Sequence, residues 1–258
     1  MRHKYEGTDV LYPAITMAVV LVAWEALTRL GAAPAYALPA PTDVALALVQ
    51  HWPVLMTNAV STTIAVVAGF VLSVVAGIAL AVLISSSRIF EKSIYPLLVG
   101  SQAIPKLALA PLFVVWFGFG MLPKVIMTFL IAVFPIVVST VQGISSVETE
   151  LEFLARSMGL GCYRTFRMIR LYRALPSIFA GLKVAITLAV VGAVVGEFVG
   201  SDRGLGTLLL RAIGVVNTPL LFAGLIVLTI LAIVLFGMIE LLERLAIPWH
   251  VSQRARSI

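Results

Sequence analysis

The sequence predicts an all-α membrane protein of about six transmembrane helices with both termini cytoplasmic. Three observations carry that prediction. The chain is 61% hydrophobic and only 12% charged, with a mean hydropathy of +1.09; a soluble domain is roughly 45–50% apolar and about 25% charged. Apolar runs long enough to cross ~30 Å of hydrocarbon at ~1.5 Å per helical residue recur along it. The basic residues are unevenly placed: thirteen of eighteen fall on the side that holds the N-terminus, and none lies between Leu30 and Ser87. That asymmetry puts both termini inside. A length of 258 residues suits one membrane domain, 1–258, and no internal repeat or linker divides it.

The net charge of +6 follows from the same asymmetry, since basic inner loops meet anionic lipid; nucleic acid is not needed to explain it. Cys162 is the only cysteine, which excludes an intrachain disulfide and a thiolate metal cluster. His3, His51 and His250 are too dispersed to suggest a metal site.

The first span is expected at 11–30. The polar segment before it lacks a small-residue cleavage site after a short apolar region, so it reads as a retained helix. In the outer loop that follows, Pro39 and Pro41 punctuate the chain. Thr42 or Asp43 can cap a short helix whose apolar face lies on the outer membrane surface.

Spans are next expected at 62–86 and 94–118. The third contains Gly100-Ser-Gln-Ala-Ile-Pro-Lys-Leu-Ala-Leu-Ala-Pro111. Pro105 and Pro111 each remove a backbone hydrogen bond and crowd the preceding turn. In lipid the freed carbonyls need partners, so such a break faces protein or a cavity. Lys106 falls half way along this span, where a cation costs about 2.5–3.5 kcal/mol on insertion scales. It is expected to face the interior, with Ser101 and Gln102 about one turn away, and there it suits an anionic substrate. If the span begins later, Lys106 instead snorkels to the inner surface.

The fourth span, 123–144, leads into a charged loop at about 145–176. Residues 148–160 read as a helix running from acidic to basic and ending at Met158-Gly159, with Arg156 suited to the C-terminal end of the dipole. Gly159 and Gly161 let the chain turn sharply after it. Cys162 to Arg173 then form a second short helix, with arginines at 164, 167, 170 and 173 and Tyr163, Phe166, Ile169 and Leu171 available for an apolar side. Two readings stand: a basic amphipathic element on the inner leaflet, or a docking element for a cytoplasmic partner. Pro176 starts the fifth span, 177–199. Near its outer end Glu197 pairs with Arg203 or Arg211, or meets an external partner as an outer gate; Gly192, Ala193 and Gly196 let helices approach closely. Gly200 to Gly206 form a glycine-rich turn, a flexible connector on composition alone. The sixth span is expected at 219–242.

The pattern Glu152/Ala155, Gly159, Ile169 and Leu175-Pro176 resembles the EAA loop of the permease subunits of binding-protein-dependent ABC importers. Three further matches support this: Leu38-Pro-Ala-Pro41, the run Gln102-Ala-Ile-Pro-Lys to Trp116-Phe-Gly118, and Glu197 with Gly204-Leu-Gly206. Together they are similar to the branch that imports nitrate, taurine, aliphatic sulfonates and thiamine-precursor pyrimidines, the Gln102 stretch leaning weakly toward the pyrimidine-precursor members. The sequence departs in two places: Phe153 and Leu154 follow Glu152, and Tyr172 stands where many members carry proline.

The resemblance implies a type I ABC importer permease fold working as a homodimer in the bacterial inner membrane. It assigns Glu152, Ala155, Arg156, Gly159, Leu160 and Arg164 to ATPase coupling, and a soluble binding protein to the outside. The chain has no Gly-x-x-x-x-Gly-Lys-Ser/Thr loop. ATP and Mg are therefore expected in two separate ATPase subunits, with no cofactor in this chain. A secondary transporter or channel is the alternative; it calls for an inverted repeat or paired intramembrane ionisable groups, and only Lys106 and Glu197 stand out. A membrane enzyme would need a convergent acid/base or metal cluster, and none is visible.

Overall fold

The computed structural model describes residues 8–31, 34, 36–147 and 149–248, apart from the side chains of Thr8, Asp9, Val10, Pro13, Ala14, Thr149, Glu152, Arg156 and Cys162. The described residues contain helices and no strand. Helix α1 (Thr8–Arg29) is followed by the short α2 (Pro41–Gln50) and the long α3 (Trp52–Ser86). Next come α4 (Arg88–Gly100), two 3₁₀ turns at Ser101–Ala103 and Lys106–Leu109, and α5 (Ala110–Phe117). Helix α6 (Met121–Ser145) leads to α7 (Thr149–Ser157), α8 (Cys162–Thr165), a π turn (Phe166–Arg170) and α9 (Leu171–Gly200). The chain closes with α10 (Leu205–Gly214) and α11 (Thr218–Ala246).

Four helical stretches are long and apolar enough to cross a membrane: α3, α6, Tyr163–Gly200 and α11. The pair Arg88–Ala103 and Lys106–Phe117, bent by 81°, makes a fifth crossing when counted as one. Helix α1 occupies the place expected for the first span, and its large apolar side chains, Val19 and Val22 among them, are exposed. Apolar side chains also cover the outside of α3 and α11, as at Val71, Val75, Ile230 and Ile233. Hydroxyls on these helices fold back onto their own backbones: Thr57, Thr63 and Thr229 each donate to the carbonyl four residues before. That satisfies them without water.

The centre is an antiparallel pair, α6 against α9. Glycine sets their separation. A Cβ on Gly143 would sit 3.1 Å from the Ala174 Cα at one end, and one on Gly196 would sit 2.7 Å from the Lys124 Cα at the other. Between them a Cβ on Gly192 would sit 2.8 Å from the Thr128 Cα. Backbones this close gain dispersion contacts where lipid offers no hydrophobic driving force. Helix α3 packs on an adjoining α6 face through Gly69 and Gly77. The apolar core that results includes Val66, Ile136, Ile178, Ala185, Ala189 and Ile239.

Several expectations need correcting. Helix α3 begins ten residues before the expected 62, because Pro53 sits in its first turn and starts it. The third span is not one helix: α4 ends at Gly100 and the chain turns through 81°. Pro105 lies in the break itself, whereas Pro111 sits in the first turn of α5, where its missing N–H costs nothing. The fifth span does not start at Pro176. Helix runs from Tyr163 through that proline to Gly200, so the expected short helix over 162–173 is the start of the span. At the first outer loop neither Thr42 nor Asp43 caps α2. The Glu25 carboxylate on α1 accepts from the Thr42 N–H and hydroxyl instead. On α2, Val44 and Ala47 are buried with Leu55, Leu205 and Ala223, while Leu46 and Val49 are exposed.

Candidate functional site

The sequence marks three places: the loop at 145–176, the break at 101–109 and the end of α9. The structure separates them along the α6–α9 axis.

At the basic end, α7 closes with a left-handed glycine. Gly159 has φ +80°, and the Leu160 N–H donates to the Ala155 carbonyl at 3.0 Å. This is the Schellman closure, in which a residue without Cβ takes the left-handed position. Gly161 is not at positive φ; it contributes its carbonyl to the Thr165 N–H and hydroxyl. Ala155 is buried and Leu160 half-buried, while Arg164 is exposed. The side chains of Glu152 and Arg156 lie outside the described residues. The expected apolar side is split: Phe166, Ile169 and Leu171 are half-buried, but Tyr163 is exposed. Phe153, Leu154, Met158, Met168 and Tyr172 are exposed with it, beside Arg164, Arg167 and Arg173. One of several surface hollows is here, lined by Leu151, Met168, Ile169, Tyr172 and Arg173.

Half way along α6, the break brings Ser101, Gln102, Pro105 and Lys106 to one side of the bundle. Lys106 is half-buried, and its Nζ stands 5.6 Å from the centroid of the Phe134 ring, within cation–π range. Phe134 is thirteen residues beyond Met121 in the 25-residue α6, so Lys106 is at mid-depth of the bundle. Two hollows meet at this side chain. One, of about 190 Å³, reaches Ser101; the other, of about 440 Å³, reaches Gln102, Ser139, Val184 and Leu188. Phe134 and Ser139 were not singled out in the sequence. Their signal, an aromatic and a hydroxyl beside Pro135 in an apolar span, is too common to mark them.

At the opposite end, Glu197 is 1% exposed and Lys124 2%. The Lys124 Nζ lies 3.7 Å from Glu197 Oε1. The carboxylate also accepts from Thr62 Oγ1 at 2.8 Å and from the Gly206 N–H at 2.7 Å. Lys124 donates to Ser61 Oγ at 3.2 Å and to the Arg203 carbonyl. The Leu205 N–H donates to Thr62 Oγ1, and the Gly204 N–H to Asn58 Oδ1. Gly204 has φ +137°, and a Cβ there would overlap the Glu197 carboxyl group. The Gly204-Leu-Gly206 segment is therefore a fitted cradle, not a flexible connector. Glu197 does not pair with Arg203 or Arg211 as expected: Arg203 contributes its carbonyl, and the Arg211 guanidinium donates to the Asp202 carbonyl. Lys124 was not singled out in the sequence. A second pair the sequence did not suggest is Lys183 with Glu243, 2.6 Å apart, tying α9 to α11.

These features define a multi-pass helical protein built around an antiparallel helix pair, with a charged loop at one end and a broken span at its waist. The chain belongs to the binding-protein-dependent transport system inner membrane component family, whose model matches residues 73–247. It is therefore an inner-membrane permease. It is 36% identical over 254 residues to the formylaminopyrimidine transport permease protein ThiX of Halalkalibacterium halodurans, covering 98% of this chain and all of that one. It is 36% identical to the riboflavin transport system permease protein RibX of Chloroflexus aurantiacus, covering 92% and 90% of the two chains. It is 30% identical to a putative aliphatic sulfonates transport permease protein, SsuC, of Bacillus subtilis, covering 91% and 86%. These names match the thiamine-pyrimidine and sulfonate side of the expected branch. Among solved structures, a chain of the MetNI methionine ABC transporter, in an inward-facing conformation, superposes with a TM-score of 0.67. That match has 18% identity and covers 76% of this chain and 97% of the other; the likeness is one of fold.

Proposed function

We propose that this chain is the membrane half of an ATP-driven importer, working as two copies with two ATP-binding subunits inside and a soluble binding protein outside. The observation that carries the reading is the loop at 145–176. Its glycine-closed helix presents exposed apolar side chains beside arginines, and the next helix runs from Tyr163 through a π turn to Gly200. A lever of that form passes a push on the loop directly to the centre of the bundle. Both termini and this loop face the cytoplasm in this reading, and α1 supplies the first crossing.

ATP and its Mg bind the partner subunits, which close on nucleotide and shift the permease between inward- and outward-open states. A bound nucleotide can move that equilibrium only by its different affinity for the two states. Solute passes beside the break at 101–109, where Ser101, Gln102, Pro105 and Lys106 line the route. The solute is a small anionic or heteroaromatic molecule. The mid-depth ammonium of Lys106 supports the first class, and the names of the pyrimidine and riboflavin relatives support the second.

Purification tests the assembly. Expressed with an ATP-binding subunit from its own operon, the permease is expected to bring that subunit down in equal copy number from mild detergent. Recovery of the permease alone under the same conditions counts against the reading.

A further inference from the structure

We propose that the hollow at Lys106 is a station that holds a small organic monoanion, a sulfonate or carboxylate on a compact apolar body, part way through the bundle. The proposal rests on the reading of the break as part of the solute route. It adds that the membrane chain itself selects for charge, independently of any external binding protein.

Four observations converge on it. Lys106 is half-buried and meets no carboxylate among the described residues; its Nζ lies over the face of Phe134, 5.6 Å from the ring centroid. A ring face attracts an ammonium and brings no compensating negative charge. The two hollows that meet at the side chain, about 190 and 440 Å³, offer the volume of a small-molecule site. Their lining is otherwise apolar, with Val184 and Leu188 opposite the charge and Gln102 and Ser139 as neutral hydrogen-bonding groups. Among the described residues, no acidic one lines either hollow. Low-dielectric walls around one sign of charge concentrate ions of the other sign. A neutral amide and hydroxyl then orient the anion without a second charge that would hold it too tightly to leave.

Cysteine chemistry reads the charge of this hollow without knowledge of the natural solute. Ser139→Cys and, separately, Gln102→Cys are placed in a Cys162→Ser background, in membranes containing the full complex. Each is labelled with anionic sulfonatoethyl methanethiosulfonate and with cationic trimethylammonioethyl methanethiosulfonate, both rates normalised to a free thiol in the same buffer. The anionic reagent is expected to react about tenfold faster, the effect of one unpaired charge several ångströms away in a partly desolvated site. Lys106→Gln brings the ratio to about one, and Lys106→Arg keeps it. Added ethanesulfonate slows anionic labelling several-fold when Lys106 is present and leaves it unchanged in Lys106→Gln. A ratio near one in the parent, or a preference that survives Lys106→Gln, overturns the station while leaving the importer reading intact. If neither reagent reaches either cysteine from either side of the membrane, the route itself is misplaced and the station falls with it.

Discussion

The Lys124 ammonium and the Glu197 carboxylate are both almost wholly buried, so each is tolerable only with the other and with the neutral donors and acceptors around them. Removing one partner strands the other. Glu197→Ala should therefore destabilise the detergent-solubilised protein by about 3–5 kcal/mol in a reversible unfolding titration, the usual cost of an uncompensated buried charge. Adding Lys124→Met to it should recover most of that loss. A single variant as stable as the parent would show that the pair is not buried in the membrane-embedded protein. Gly204→Ala should be damaging by a different route, because its Cβ would fall on the carboxyl group. At this scale the sequence was half legible. Glu197, Gly204 and Gly206 could be named together, because an acid ending an apolar span and a Gly-Leu-Gly turn are both conspicuous. Lys124 could not be paired with Glu197, since 72 residues separate them and nothing local distinguishes a packed lysine from a lysine at the membrane surface.

At the level of elements, hydropathy located α6 and α11 to within a few residues, because a span must be apolar along its whole length. It failed where a helix continues past the apolar run. The stretch from Tyr163 to Leu175 is too basic to be read as part of a span, yet it is helical and continuous with α9. Pro176 suggested a boundary, but the helix absorbs it, five residues after a π turn. The break at 101–109 was legible from its prolines, and its 81° bend was not. The turn at Gly159 gives the sharpest element-level prediction. A left-handed conformation costs an L-residue about 1–2 kcal/mol, a shift of roughly five- to thirtyfold away from the native turn. Gly159→Val should leave the protein inserted but reduce recovery of the ATP-binding subunit by about that factor in a quantitative pull-down. Undiminished recovery with coupled uptake would remove the loop from the docking role.

For the molecule as a whole, an all-helical membrane protein was readable from composition and span length, and the permease class from the resemblance of its motifs; the family match and the MetNI-like fold agree with that reading. Substrate was not readable, because the proposed route, lined mainly by apolar side chains with one ammonium, would record charge and size more than identity. The relatives carry names for a pyrimidine, a flavin and sulfonates on the same framework. The central claim is that ATP hydrolysed by a partner drives solute inward through this chain. The most direct test is uptake into vesicles containing the permease, its ATP-binding subunit and its binding protein, with nucleotide supplied on the ATPase side. The account predicts uptake that requires hydrolysable ATP, stops with a non-hydrolysable analogue and persists when ion gradients are collapsed. Uptake that runs on an ion gradient without ATP would contradict it.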